Sequence, residues 1–485
     1  MMLSRSLILI ALVPARLCVA QPPSSPAGLG HGAVAKRYAD LCASCHGPEL
    51  EGGRAQSLLD DSWTFGGDDK SLAESIREGR PGTLMVPFKA ALTDLEVRSL
   101  VVFIRERAGQ ARAQGMKVVS PDVDKVVESE QHAFKLETVA LGLDTPWGLA
   151  FLPGGRLLVS ERPGLLRVIT PGQPLGEPIR GIPAVWAQQD GGLMDVALHP
   201  DYANNGWIYL AYSDPGLAGA SMTAIVRGRI REGKWVDQES LYAPPPELYW
   251  ADNSHFGSRF LFDRAGHLFY SIGDRGHERE AQDVSRPNGK IHRIQDDGRV
   301  PPDNPFVAQA GTLDSIWSYG NRNVQGLAFH PVTGELWATE HGPRGGDELN
   351  VVEPGKNYGW PAITYGINYD GTPVSDRTEQ AGMEQPVVQW TPSIGVCGIT
   401  FYTGDRFPKW QNDLFVTALV GQELLRLVVE GHQVVHQEIL FRNIGRVRSV
   451  ATGPDGYLYV VLNNPDRILR LAPAAARAFS AERKR

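Results

Sequence analysis

Cys42 and Cys45 stand three positions apart and are followed at once by His46. Covalent attachment of haem c needs this arrangement, with two thiols to bond the haem vinyl groups and an imidazole to ligate the iron. A thioredoxin-like CxxC pair has no need of the trailing His. Half of a zinc site needs a second ligand pair, which the remaining cysteines, Cys18 and Cys397, do not supply. A second axial ligand is expected downstream, and Met85 lies in the Gly/Pro-rich stretch from Gly79 to Pro87. A thioether there would be a soft ligand that raises the haem potential, the alternative being an ordinary core methionine. A second set of reactive residues lies far along the chain, with His255 and Arg259 in one segment (253–259) and Asp274 in another (271–276). If these segments are adjacent strand ends of a hairpin, Asp274 can hold one imidazole nitrogen and leave the other basic, as proton abstraction from an alcohol requires. The alternative is a structural His–Asp pair. Arg446 and Arg448, two residues apart, share one face of a strand and can point at the same anion.

The elements around the haem residues are legible. Thr93 and Glu96 form a capping box, and Val97, Leu100, Val101 and Ile104 follow at helical spacing, predicting a helix with one apolar stripe. Residues 30–110 resemble a small all-α class I cytochrome c domain. The first twenty residues carry Arg5, an apolar run over 7–13 and a small-residue end at 18–20, and read as a cleaved secretory signal, with an uncleaved anchor as the alternative because of Arg16. Haem c is attached outside the bacterial cytoplasm, so both features predict a periplasmic or secreted protein. No later apolar stretch reaches the roughly 18–20 residues of a transmembrane helix.

With 485 residues, 42% hydrophobic and 21% charged, the chain has room for more than one domain. Its net charge of −7 argues against nucleic acid as a partner. Residues 111–131 lack a sustained β pattern and read as a linker. From about residue 133 one unit recurs six times: an apolar strand, a turn with Pro, Asp or Gly, and a second aliphatic and aromatic strand. The copies begin near Trp147, Met194, Arg259, Gly326, Gly398 and Val450. Six uneven copies predict an all-β propeller of six four-stranded blades over 132–475, with residues 134–140 pairing with the last blade to close the ring.

Over nearly all of 135–471 the chain resembles the soluble glucose/sorbosone dehydrogenases. The matching segments are His255 with Arg259, Ile272–Asp274, Tyr319–Phe329, Glu340–Pro343, Asp347–Asn350, Asn357–Pro361 and Arg446–Arg448. The resemblance implies a six-bladed propeller that binds pyrroloquinoline quinone (PQQ) and oxidises aldoses. It implies that His255 is the general base, held by Asp274, and that Arg322 stabilises charge on the quinone oxygen. It further implies PQQ contacts from Asn323, Arg446 and Arg448, a calcium ion on the carbonyls of Gly342 and Pro343, and a second, structural calcium at Glu348 and the carbonyl of Tyr358. Two departures stand out: Val420 replaces a Lys common in the family, and Asp190 replaces a longer Gln or Glu in the cofactor site. The expected protein takes two electrons from an aldose or related alcohol, passes them singly to its own haem, and hands them to an external cytochrome or respiratory component. The competing expectation is a binding or scaffold propeller without quinone, tethered to an electron-transfer cytochrome.

Overall fold

The computed structural model describes residues 31–59, 63–115, 123–252 and 254–475, so the expected signal at 1–20, Cys18 and Asn253 lie outside the described residues. Four helices form the N-terminal unit: α1 (His31–Leu41), α2 (Ala43–His46), α3 (Asp69–Glu78) and α4 (Asp94–Gly115). The start of α3 is fixed by Asp68, whose carboxylate accepts from Ser71 N–H at 2.9 Å. α4 starts at the expected capping box: Thr93 Oγ1 accepts from Glu96 N–H at 3.2 Å, and Glu96 Oε2 accepts from Thr93 N–H at 2.8 Å. Val97, Leu100, Val101 and Ile104 pack with Tyr38, Leu72 and Ile76 in one core.

A second face of α4 is also occupied. Leu95, Ser99 and Val102 are buried on the side that carries Arg98, Glu106 and Gly109, a spacing that lines them along one stripe. This stripe meets the β-rich part of the chain. Arg98 donates to the carbonyls of Thr364, Ser375 and Asp376 at 3.2, 2.8 and 3.1 Å. Arg344 makes a two-pronged ion pair with Glu106 at 3.0 and 2.5 Å. Gln389 donates to Asp69 at the start of α3. The stretch expected as a linker is ordered at both ends, because α4 continues to Gly115 and a strand begins at Val126. The helical unit is therefore docked on the propeller and does not hang from a free tether.

The β-region is a six-bladed propeller. Six antiparallel sheets follow in chain order, and the six sequence repeats correspond to the inner two strands of each. Blade one uses Pro146–Leu152, Arg156–Glu161 and Leu165–Ile169, three strands where four were expected. The following segment carries Pro171, Pro174, Pro178 and Pro183, which cannot donate to a ladder, and it runs as a loop. Blade six, Arg446–Thr452, Leu458–Asn463 and Arg467–Ala474, takes its fourth strand from the start of the region: Ala133–Leu141 pairs antiparallel with Arg467–Ala474 and closes the ring, as expected. Val126–Glu128 adds a fifth strand outside it. Aliphatic and aromatic side chains pack between neighbouring blades, as where Phe134, Leu424 and Leu462 meet in one cluster. Among the described residues no helix is long and apolar enough to cross a membrane.

Blade three contains a buried imidazole with a structural role. His292 stacks on Tyr270 with ring centroids 4.9 Å apart, and its Nε2 lies 2.9 Å from the Pro287 carbonyl. A carbonyl only accepts, so Nε2 carries the proton and Nδ1 accepts from Ser315 Oγ at 3.1 Å. Burial holds this group at about 3, below its ordinary 6.5. The neutral ring's contribution to stability is present above the unfolded value and is lost as pH falls towards the folded one, at up to about 1.4 kcal/mol per pH unit. The urea midpoint should fall steadily between pH 6.5 and 4, and the fall should be shallower in His292→Gln; equal slopes would contradict this role.

Candidate active site

At one end of the propeller axis the loops surround a cleft of about 240 Å³. Blade three supplies the first pair of side chains from either side of a hairpin: His255 precedes strand Phe260–Phe262, and Asp274 follows strand Leu268–Ile272. The two strand ends approach so closely that Gly273 leaves no room for a Cβ beside the His255 carbonyl. His255 itself sits at φ +50°, a left-handed conformation uncommon for a residue with a side chain. The approach sets His255 Nδ1 2.6 Å from Asp274 Oδ1.

Asp274 is 1% exposed. Its Oδ1 also accepts from Gly276 N–H at 2.9 Å, and its Oδ2 from Trp360 Nε1–H at 2.8 Å. Burial pushes its acidity towards the neutral form, but the hydrogen bond and charge of His255 and the charge of Arg322 outweigh burial and hold it below the ordinary carboxylate value. An ionised Asp274 requires Nδ1 to carry the proton, so Nε2 of a neutral His255 is the basic nitrogen. The expected His–Asp pair is thus present, and His255 lines the cleft.

Cations crowd the same cleft. Arg322, at the entry to blade four, donates to the carbonyls of His341 and Gly342 at 3.1 and 3.0 Å and lies over Trp360, 5.3 Å from the ring centroid. Arg446 and Arg448 both line the cleft, although a bulge between Val447 and Ser449 interrupts their strand's register. Arg448 lies over Trp147, and Arg259 stacks on the same ring from 4.3 Å. Burial, then repulsion from Arg448, pulls Arg446 below the usual guanidinium value. Burial, then repulsion from Arg448 and Arg322, pushes His341 down to about 3. The buried Nε groups of Arg322 and Arg448 and Nε2 of His341 have no hydrogen-bond partner among the described residues. Asp190 lines the cleft and its Oδ2 lies 3.4 Å from His255 N. Asn323 also lines it, with Oδ1 accepting from Gly257 N–H at 3.0 Å. Val420 projects into the lining, 64% exposed, where a cation was the family expectation. Three guanidinium groups facing one partly desolvated space, two of their Nε donors without a partner among the described residues, fit a multiply charged anion such as PQQ.

The expected calcium ligands divide between two places. Gly342 lines the cleft, whereas Pro343 packs against Gly366. Glu348 is half-buried beside the buried Glu340, and Asn350 Nδ2 bridges them at 3.1 and 3.3 Å. Burial raises Glu340 to about 7, and burial with repulsion from Glu340 raises Glu348 well above the carboxylate range. The buried Oδ1 atoms of Asn321 and Asn350 lack donors among the described residues. This acceptor-rich pocket fits a hard cation. Among the described residues no group of three or more His, Cys, Asp or Glu could hold a metal, so carbonyl and amide oxygens must complete any such site.

In the helical unit, His46 Nδ1 lies 3.0 Å from the Gln56 carbonyl, which fixes the proton there and leaves Nε2 free for iron. Cys42 and Met85 pack against the same helical core. Gly79, at φ +66°, brings the Met85 carbonyl within hydrogen-bond reach of Arg80 N–H, and a Cβ on Gly79 would lie 2.6 Å from that oxygen.

Trp360, Trp147, Glu340 and Tyr369 belong to this architecture but were given no role from sequence. Trp360 and Glu340 lie inside segments that carry the family resemblance, which is the signal that could have found them.

Residues 143–470 match the family model described as glucose/sorbosone dehydrogenase. The chain belongs to this family. Residues 32–104 match the model for the cbb3-type cytochrome c oxidase subunit III, so the N-terminal unit is a cytochrome c domain. Aldose sugar dehydrogenase YliI of Escherichia coli (strain K12) is 43% identical over 338 residues, covering 68% of this chain and 91% of the relative. A crystal structure of a glucose dehydrogenase shares 43% identity at a TM-score of 0.68, covering 70% of this chain and all of that one. The PQQ-bound aldose sugar dehydrogenase of Streptomyces coelicolor shares 30% identity at a TM-score of 0.59, covering 70% and 98%. CcoP of Cereibacter sphaeroides is 36% identical over 75 residues, 15% of this chain and 26% of that protein. The enzyme-like propeller and the cytochrome domain thus resemble separate proteins.

The Trp360 hydrogen bond gives a prediction independent of any substrate. Trp360→Phe keeps the ring but leaves a buried carboxylate oxygen unpaired, which should lower unfolding free energy by about 1–3 kcal/mol. Urea denaturation of the variant beside the wild type measures it, and an unchanged midpoint would show that Asp274 does not depend on this donor.

Proposed function

We propose that this protein is a periplasmic quinohaemoprotein that oxidises an aldose, or a related alcohol, and relays the electrons through its own haem to an external acceptor. The observation that carries the reading is the His255–Asp274 pair set in a cleft lined by Arg322, Arg446 and Arg448. The family, and the PQQ-bound relative within it, support PQQ as that anion. When bound, PQQ supplies a two-electron acceptor for hydride and haem c a one-electron exit. The protein's own groups do the remaining work. His255 Nε2 takes the proton of the sugar's anomeric hydroxyl. Asp274 keeps Nδ1 protonated and stabilises the imidazolium that forms. Arg322, fixed by two backbone carbonyls and Trp360, directs positive charge at the reacting end of the cleft. Arg446, Arg448 and Asn323 would hold the cofactor, with Asp190 at the rim near His255. Calcium is assigned to the Gly342 and Pro343 carbonyls and to Glu348 with the Tyr358 carbonyl. His46 and Met85 would be the axial ligands, with Cys42 and Cys45 the covalent anchors. The expected leader and the haem residues support an extracytoplasmic location. Val420 is the one feature that favours a quinone-free propeller, and reconstitution with PQQ and calcium separates the two readings.

His255→Ala should lower aldose turnover in the reconstituted protein by about 10²–10⁴ while PQQ still binds. Turnover within threefold of wild type would sink the assignment of the base.

Met85→Ala should leave haem covalently attached, lower its potential and slow haem reduction by sugar in stopped flow, while turnover with a small dye stays at wild-type rate. Unchanged haem reduction would mean that Met85 is not the ligand or that the haem is off the path.

A further inference from the structure

We infer that the cytochrome c domain is a structural part of the sugar cleft: α4 braces the loop that carries Tyr369 into the cleft wall, and so sets substrate affinity as well as receiving electrons. The inference rests on the dehydrogenase reading above for its substrate. The loop belongs to a connection of blade four that runs from Val352 to Val388 with no strand of its own. Connections of such length inside a compact domain are uncommon and are usually functional. Tyr369 lines the cleft yet is 69% exposed, so little around its side chain holds it in place.

What holds the loop is largely at its base. Arg344 and Ile367 exchange backbone hydrogen bonds at 2.9 and 3.0 Å, and Asn368 N–H donates to the Thr372 carbonyl at 2.8 Å to form the tip. Thr364 N–H donates to the Arg377 carbonyl at 3.0 Å and Ser375 Oγ to the Ala362 carbonyl at 2.5 Å, and the cytochrome domain adds ties of its own across the same two loop ends. Arg98 joins one end of the loop, at Thr364, to the other, at Ser375 and Asp376, through three carbonyls. Glu106, two turns further along the same face, grips Arg344 with both carboxylate oxygens. The planar guanidinium of Arg98 suits this role, since it can reach carbonyls on both chain segments at once. A loop closed at its base has fewer conformations to lose when a sugar binds, so removing the brace raises the cost of binding. None of the bracing groups touches the cleft, and Arg98, Glu106 and Arg344 are positioning residues.

The test uses the full-length protein carrying haem and reconstituted with PQQ and calcium, with glucose as substrate and a small dye that accepts electrons at the propeller, so that haem transfer is not limiting. Arg98→Ala and Glu106→Arg should each raise KM for glucose by about fivefold or more, at the low end of typical coupling between sites, with kcat within twofold of wild type. Arg344→Glu combined with Glu106→Arg restores the ion pair in reverse and should return KM towards wild type. Hydrogen exchange on the same proteins without sugar should show peptides over 364–376 exchanging faster in the single variants and slower again in the charge-reversed pair. Unchanged KM and unchanged exchange in both single variants would overturn the inference, as would faster exchange with no change in KM. A wild-type protein that fails to reduce the dye with any aldose would instead reject the dehydrogenase reading, and the exchange measurement would still decide whether α4 braces the loop.

Discussion

The carboxylate of Asp274 is buried, ionised and shared, and the site assembles around it. One oxygen takes His255 and the Gly276 amide, the other takes the Trp360 indole, and the residue's own amide donates to the Arg322 carbonyl. These partners come from two blades. His255 and Gly276 belong to blade three, whereas Arg322 and Trp360 belong to blade four and its long connection. A buried charge needs such company, since losing a partner leaves it desolvated and unpaired. The same bonds that keep Asp274 charged therefore lock the seam between two blades at the point where proton transfer is assigned.

The rest of the cleft is a problem in like charge. Arg322, Arg446 and Arg448 face one space, Arg448 and Arg259 share the Trp147 ring, and Asp190 is the carboxylate at the rim. Stacking on aromatic faces lets guanidinium groups remain charged away from bulk water. It does not cancel their repulsion. The arrangement is consistent with a site completed by a bound anion, and it contrasts with Glu340 and Glu348, where carboxylate and amide oxygens gather around Asn350. Charge of one sign thus gathers in the cleft from blades four and six, and charge of the other sign gathers within blade four.

Much of this was legible in the sequence because it is local. The Cys42–His46 pattern, the Thr93–Glu96 box and the strand–turn–strand repeats each concern residues within a few positions of one another, where periodicity and turn chemistry speak directly. The inner strands of the blades gave the clearest signal, being buried on both faces; blade one has no fourth strand because the prolines that follow its third lack the donors a ladder needs. His255 and Asp274 were paired because a hairpin relates them. Trp360 was not, since 86 residues separate it from Asp274 and nothing in its own segment announces a carboxylate partner. The docked face of α4 was missed for the same reason. Its apolar stripe at 97, 100, 101 and 104 reads as a core face, but Arg98 and Glu106 look like solvated charges until their partners more than 230 residues away are placed against them.

Blade six is assembled from both ends of the β-region, with Ala133–Leu141 beside Arg467–Ala474. A chain emerging from its N-terminus completes the cytochrome domain first, and then holds one strand without its partner until almost everything else has been made. Pairings of that sequence separation are slow, because loop closure must be paid before contacts reward it. During the wait, Ala133–Leu141 has an open edge of the kind that other chains can recruit. Val126–Glu128, made just before it, pairs with the other edge of this strand, so the ring closes by burying the single edge that has waited longest.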